Sequence, residues 1–376
     1  MIQLETNLEE SNRERIWGLD LYRSIAIILV VFTHGAYLLE KTPFEGFPFI
    51  KMLDGVDLFF VLSGFLIGGI LLKDITSTSG IGFKKLFNFW KRRWLRTLPN
   101  YYLILLINYL FIKNKIIIEN ITQFNWKFLF FLQNFSKPFC GFFWESWSLS
   151  VEEWFYLMVP PLLFLIVKIT SAKKSFLIVT LLMICVPFII RYFDYNISID
   201  NFWYDVTVRK IVIKRLDSIA YGLLSSWLFF YYAEYWEKYK ILALVVSILL
   251  IVFLVNFKSD NTTFFKQITF FSLTPLAAML LIPFFQGINN KNSVFYKSIT
   301  HISKISYSMY LINLALVSEV IRDNFPPTSI YDRIVKYCIY WFLVICFSTF
   351  LYKFYEKPFM KLRGKIGSIT LSQNSE

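Results

Sequence analysis

The chain has 376 residues, 56% of them hydrophobic and 20% aromatic; only 17% are charged, against roughly 25% in an average soluble domain. A soluble fold of this length could not enclose 42 Phe and 22 Tyr, so the composition excludes a soluble enzyme and requires an integral membrane protein. The formal charge of +13 is accounted for by basic loops on one membrane face and contact with anionic lipid headgroups, so no nucleic-acid partner is expected.

The first stretch, MIQLETNLEESNRER, is polar, and residues 1–17 read as a cytoplasmic tail. The apolar run behind it is too long for a signal peptide and lacks a small-residue cleavage pattern, so it is retained as a span. Hydropathy in windows of about 19 residues places spans near 18–39, 54–73, 97–113, 148–169, 174–192, 211–233, 239–257, 265–286, 302–321 and 332–355. The expectation is an all-α, polytopic, multi-pass protein of the inner or plasma membrane, with about ten transmembrane helices in one membrane domain, 18–356. An even count puts both termini on one side. Arg13 and Arg15 in front, and Lys357, Lys361, Arg363 and Lys365 in a basic tail, 357–376, make that side cytoplasmic.

Lys73, Lys84, Lys85, Lys91, Arg92, Arg93 and Arg96 between spans two and three agree with this orientation. The segment 191–215 does not: it falls outside yet holds Arg191, Arg209, Lys210, Lys214 and Arg215, so either those cations are functional or the count is off there. The long loop 114–146 contains WKFLFFLQNF, too short to span and suited to an interfacial or re-entrant helix. Cys185, Cys338 and Cys346 sit inside apolar spans and no metal-ligand spacing occurs, so neither a disulfide framework nor a metal is expected.

Span one carries RSIAIILVVFTH, with Arg23 and His34 eleven residues apart. At ~100° per residue the two side chains fall within about 20° of one helix face, roughly 16 Å apart along the axis. Charge at bilayer depth is costly, which makes both functional candidates; the plainer alternative is that Arg23 snorkels beside Asp20 and His34 caps the outer helix. In span two, DGVDLFFVLSGFLIGG, the small residues Ser63, Gly64, Gly68 and Gly69 serve close helix packing or thin the helix where an acyl chain or thioester passes. FWKRRWLRTLPN sets Arg93 and Arg96 on one helix face beside Trp90 and Trp94, either as a topology signal or as a grip on a phosphate-rich ligand. ESWSLSVEEWFYLMVPPLLF brings Glu145, Glu152 and Glu153 to a helix start. Neighbouring residues diverge by ~100°, so one of the adjacent acids points into the protein, where a cation or imidazole is its natural partner. Arg215 with Asp217 reads as an interfacial ion pair or a site, and Tyr307, Tyr310 and Asn313 as helix–helix hydrogen bonding.

In order and wording, GLDLYRSIAIILVVFTH, GVDLFFVLSGFLI, KRRWLR, WSLSVEEWFYLMVPPL, RLDSIAYG, ISYSMYLIN and YEKPFMKL resemble acyltransferase family 3, integral membrane acyltransferases of surface glycans and other secreted molecules. The segments extend from about residue 18 to 364, nearly the whole chain. The resemblance implies an O-acyltransferase, without a fused SGNH-type domain, that uses acyl-CoA, acetyl-CoA first, as co-substrate. His34 is then the catalytic histidine, with Glu152 its acid; Arg23, Arg93 and Arg96 hold the donor, and Ser63 lines its path. The acceptor is a surface glycan or lipid-linked saccharide. Family patterns carry His near the end of YLxH where this chain has Asn313. The alternative class is a transporter or flippase for an anionic or polyprenyl-linked substrate, its path lined by the same charges.

Overall fold

Each apolar run forms a helix in the computed structural model, which describes residues 15–45, 54–77, 82–139, 141–257, 260–289 and 295–362. Among these residues the regular structure is entirely helical. The long helices are α1 (Trp17–Gly35), α2 (Gly55–Thr76), α3 (Phe83–Lys113), α4 (Ser146–Ile166) and α5 (Ala172–Phe193), then α6 (Leu216–Tyr231), α7 (Lys240–Asn256), α8 (Phe270–Gln286), α9 (Tyr296–Ile312) and α10 (Ile330–Leu351). Six of them, some with short extensions, are long and apolar enough to cross a membrane: Trp17–Leu39, Gly55–Thr76, Ser146–Ile166, Ala172–Phe193, Phe265–Gln286 and Ile330–Leu362. Helices α6, α7 and α9 are shorter, at 16, 17 and 17 residues, and α3 carries its basic cluster within the helix. The protein is therefore an all-helical integral membrane protein. Arg13, Lys51, Arg363 and Lys365, and most of both expected tails, lie outside the described residues.

Helix α3 departs from expectation at its start. Its 31 residues begin at Phe83, well before the expected start at 97, so KRRWLR is part of the same helix as Pro99. The WKFLFFLQNF segment forms only a short 3-10 turn, Trp126–Phe130, held to α3 by Tyr101 and Tyr102, whose hydroxyls donate to the carbonyls of Phe128 and Leu129.

Close packing of α2 on α6 organises the core. A Cβ added at Gly64 would lie 2.0 Å from the Ile219 carbonyl oxygen, and one at Gly222 would lie 2.1 Å from the Val61 carbonyl oxygen. The two backbones meet face to face because neither residue has a side chain there. Helix α1 is fixed against α9 and α10: Ser24 donates to the Ile299 carbonyl, Ser303 to Asp20, and Tyr340 to the Val31 carbonyl.

The unexpected cations of 191–215 are accounted for by partners. Arg191 pairs with Asp217 at 2.6 Å, Arg209 with Asp54 at 2.6 Å and Asp205 at 3.0 Å, and Lys214 with Asp194 at 3.0 Å. Arg215 pairs with Asp57, not with its sequence neighbour Asp217. Apart from the exposed Asp194, these are buried or half-buried partners that tie α2, α5 and α6 together, so these charges are engaged in tertiary pairing.

Candidate active site

Five of the expected site residues line one cleft. Arg23 enters from α1, Ser63 from α2, Arg93 and Arg96 from α3 and Glu152 from α4. The cleft encloses about 820 Å³, its open mouth included, and its remaining wall includes Phe59, Phe60, Leu62, Leu66 and Leu149. The helical spacing of Arg93 and Arg96 turns both toward the cleft, while Lys91 and Arg92 remain exposed. Arg93 also lies 5.7 Å from the centroid of the Tyr156 ring and 5.8 Å from that of Phe89. Among the described residues no acid comes within ion-pairing distance of Arg23, Arg93 or Arg96. Their charge is met at longer range by Glu152, with Asp20 acting on Arg23 and Glu356 on Arg96 as well.

Glu152 lies beside Ser63 and Tyr156 and sits in the field of Arg96 and Arg93. Ser63 and Tyr156 are themselves 2.7 Å apart, hydroxyl to hydroxyl. Of the two readings of the small residues in α2, Gly64 serves packing and Ser63 faces the cleft. Glu153 is also buried, on another side of α4, where it accepts a hydrogen bond from Thr97 at 2.7 Å. Both adjacent acids thus face protein, because α3 covers the side that the sequence left open to lipid.

His34 stands apart from that lining. Its Nδ1 lies 2.5 Å from Asn313 Oδ1, and the Asp54–Arg209 pair is close enough to act on it electrostatically. The expected imidazole–Glu152 contact is absent from the interactions of either side chain among the described residues; Asn313 occupies that role at His34, and the arginines with Ser63 and Tyr156 surround Glu152. The two regions adjoin through Tyr310, which lines the cleft one helical turn before Asn313. Tyr310 meets Ser148 at 2.5 Å and donates to the Glu145 carbonyl at 3.0 Å. Sequence reasoning passed over Tyr156, Ser148 and Asn313 as site residues. For Tyr156 a signal existed, since it follows Glu152 by four residues and so shares its helix face.

An all-helical membrane domain with a cationic cleft beside a polar histidine is a layout for handling an anionic ligand within the membrane. A family model described as an acyltransferase domain matches residues 16–353, and the chain belongs to that family, acyltransferase family 3. A Staphylococcus aureus protein named "Putative O-acetyltransferase" is 26% identical over 371 residues, covering 92% of this chain and 57% of its own. The peptidoglycan O-acetyltransferase OatA of Listeria monocytogenes is 30% identical over 181 residues, 44% of this chain and 27% of its own. The chain thus spans a little over half the length of the Staphylococcus relative. No solved structure matches.

Proposed function

We propose that the protein is an O-acyltransferase of the plasma membrane that moves an acetyl group from cytosolic acetyl-CoA to a hydroxyl of a cell-wall, surface or lipid-linked glycan. The observation that carries this reading is the cleft: three arginines with no described acid within ion-pairing distance, one carboxylate, and a wall of Phe and Leu side chains interspersed with Ser, Thr and Tyr hydroxyls. A donor with phosphates at one end and a thioester on an uncharged arm at the other matches that division. Guanidinium groups bind phosphate bidentately, so Arg93 and Arg96, with Arg23, hold the head of the donor from the cytoplasmic side.

His34, three turns along α1 from Arg23, acts as general base. It takes the proton from the acceptor hydroxyl as that oxygen bonds to the thioester carbonyl carbon. The carbon–sulfur bond breaks, and the proton leaves with the CoA thiol. Glu152, beside Ser63 and Tyr156 among the arginines, lessens the mutual repulsion of those cations when the donor is absent.

The test is purified protein in nanodiscs with labelled acetyl-CoA and a soluble saccharide acceptor. His34→Ala is expected to insert normally and to lose product formation by about 10²–10⁴-fold, the usual contribution of a general base. Arg93→Gln and Arg96→Gln are expected to raise the donor KM by roughly 10- to 100-fold, the equivalent of one charged hydrogen bond. Undiminished acetylation by the His34 variant, or no acetylated product from the wild type, as for a carrier, overturns the reading. Succinyl-CoA in the same assay identifies the acyl group.

A further inference from the structure

We infer that Asn313 is the positioning residue for His34: it holds the imidazole as the Nδ1–H tautomer and leaves Nε2 as the ring nitrogen free to take a proton. The proposal rests on His34 being the base and adds which of its two nitrogens acts and what selects it.

The hydrogen bonds around Asn313 determine the answer. Its Nδ2 amide donates to the Met309 carbonyl at 2.8 Å and to the Tyr310 carbonyl at 2.8 Å. Both amide hydrogens are thereby used, and the side-chain oxygen is the atom left to face His34. A flipped amide would set its oxygen against two carbonyl oxygens, which repel it. An oxygen without a hydrogen can only accept, so His34 Nδ1 must carry the proton it donates. Nδ1 and Nε2 cannot both be protonated in the neutral ring, which frees Nε2.

Backbone geometry explains why an Asn can do this in mid-helix. Asn313 opens a π turn, Asn313–Ser318, directly after α9. The Met309 carbonyl also accepts the backbone N–H of Asn313 in the ordinary helical way, its second lone pair taking the side-chain amide, and such turns concentrate at functional sites. Asn313 is fully buried, so its amide has no water to compete for those carbonyls. The ring is steadied from the backbone too: Ser318, at the end of the same π turn, donates to the His34 carbonyl at 2.9 Å. The π turn therefore grips both ends of His34, main chain and side chain.

Only two histidines occur in the chain, which makes the claim directly observable. Protein labelled with 15N in the histidine rings, in nanodiscs near neutral pH, gives two ring spectra, and a His301→Gln sample identifies that of His34. The expected spectrum has a protonated, pyrrole-type Nδ1 and an unprotonated, pyridine-type Nε2. In Asn313→Leu the ring loses that preference and acetyl transfer falls by about 10²–10⁴-fold in kcat, with the donor KM unchanged. Asn313→Asp keeps an accepting oxygen and is expected to keep the tautomer. A wild-type spectrum with the proton on Nε2, or an Asn313→Leu spectrum identical to the wild type, overturns the proposal. His34→Ala that retains activity would instead overturn the base assignment while leaving the tautomer measurement intact.

Discussion

Asp57 and Arg215 show what one buried charge pair controls at the scale of single residues. Their side chains are 3% and 1% exposed, and Arg215 also lies 4.5 Å from the centroid of the Phe271 ring. Removing one member leaves the other charged and dry, at a cost of about 3–5 kcal/mol. Asp57→Ala is therefore expected to lower the melting temperature in detergent sharply, whereas Asp57→Leu combined with Arg215→Met recovers most of the loss. A single variant as stable as the wild type would show that water reaches the pair. At this scale the sequence was legible where candidate residues share one helix face: Arg93 with Arg96, both of which line the cleft with Arg23 of α1. It was not legible where partners come from distant helices. Asp57 meets Arg215 across 158 positions and His34 meets Asn313 across 279, and no periodicity records such a meeting. Glu152 was expected beside His34 and lies instead among the arginines with Ser63 and Tyr156, because spacing gives the face of a helix and not what covers it.

At the scale of elements, α2 carries glycines that look alike in sequence and differ in the structure. Gly64 is pressed on the Ile219 carbonyl, whereas a Cβ at Gly69 would meet no atom within 4 Å. Gly64→Ala is expected to push α2 from α6 and destabilise the protein by about 1–3 kcal/mol. Gly69→Ala is expected to be neutral or to stabilise by up to about 1 kcal/mol through helix propensity. Thermal unfolding of the two variants side by side measures the contrast, and equal effects would contradict the packing of α2 on α6. Helix positions were largely readable because apolar runs of this length have few alternatives. The start of α3 was hidden, since Lys84, Lys85, Lys91 and Arg92 lower its apolarity without breaking its helix. The 191–215 segment misled for the converse reason: loop cations normally report membrane side, and here carboxylates from other elements neutralise them.

Over the whole molecule, the functional proposal requires the Arg93 end of the cleft to face the cytoplasm. Lys91 and Lys41 are exposed, the first on α3 beside the arginines and the second beyond the His34 end of α1. In a background with the native cysteines replaced, Lys91→Cys is expected to react with a membrane-impermeant maleimide only in inverted vesicles, and Lys41→Cys only in intact cells. The reverse pattern would put the donor on the wrong side.

Helix α1 fixes the separation of Arg23 and His34 at roughly 16 Å, eleven rises of 1.5 Å, and no hinge lies between them. On the roles proposed for these two residues, a donor anchored by its anionic head carries its reactive carbon on a flexible arm of matching length. Acetyl phosphate has the charge and the acetyl group but no such arm. It is expected to occupy the arginines and compete with acetyl-CoA without transferring its acetyl group. Discrimination between activated acetyl compounds then follows from the reach of the molecule and not from the chemistry of its leaving group, a form of selectivity built into the pitch of one helix.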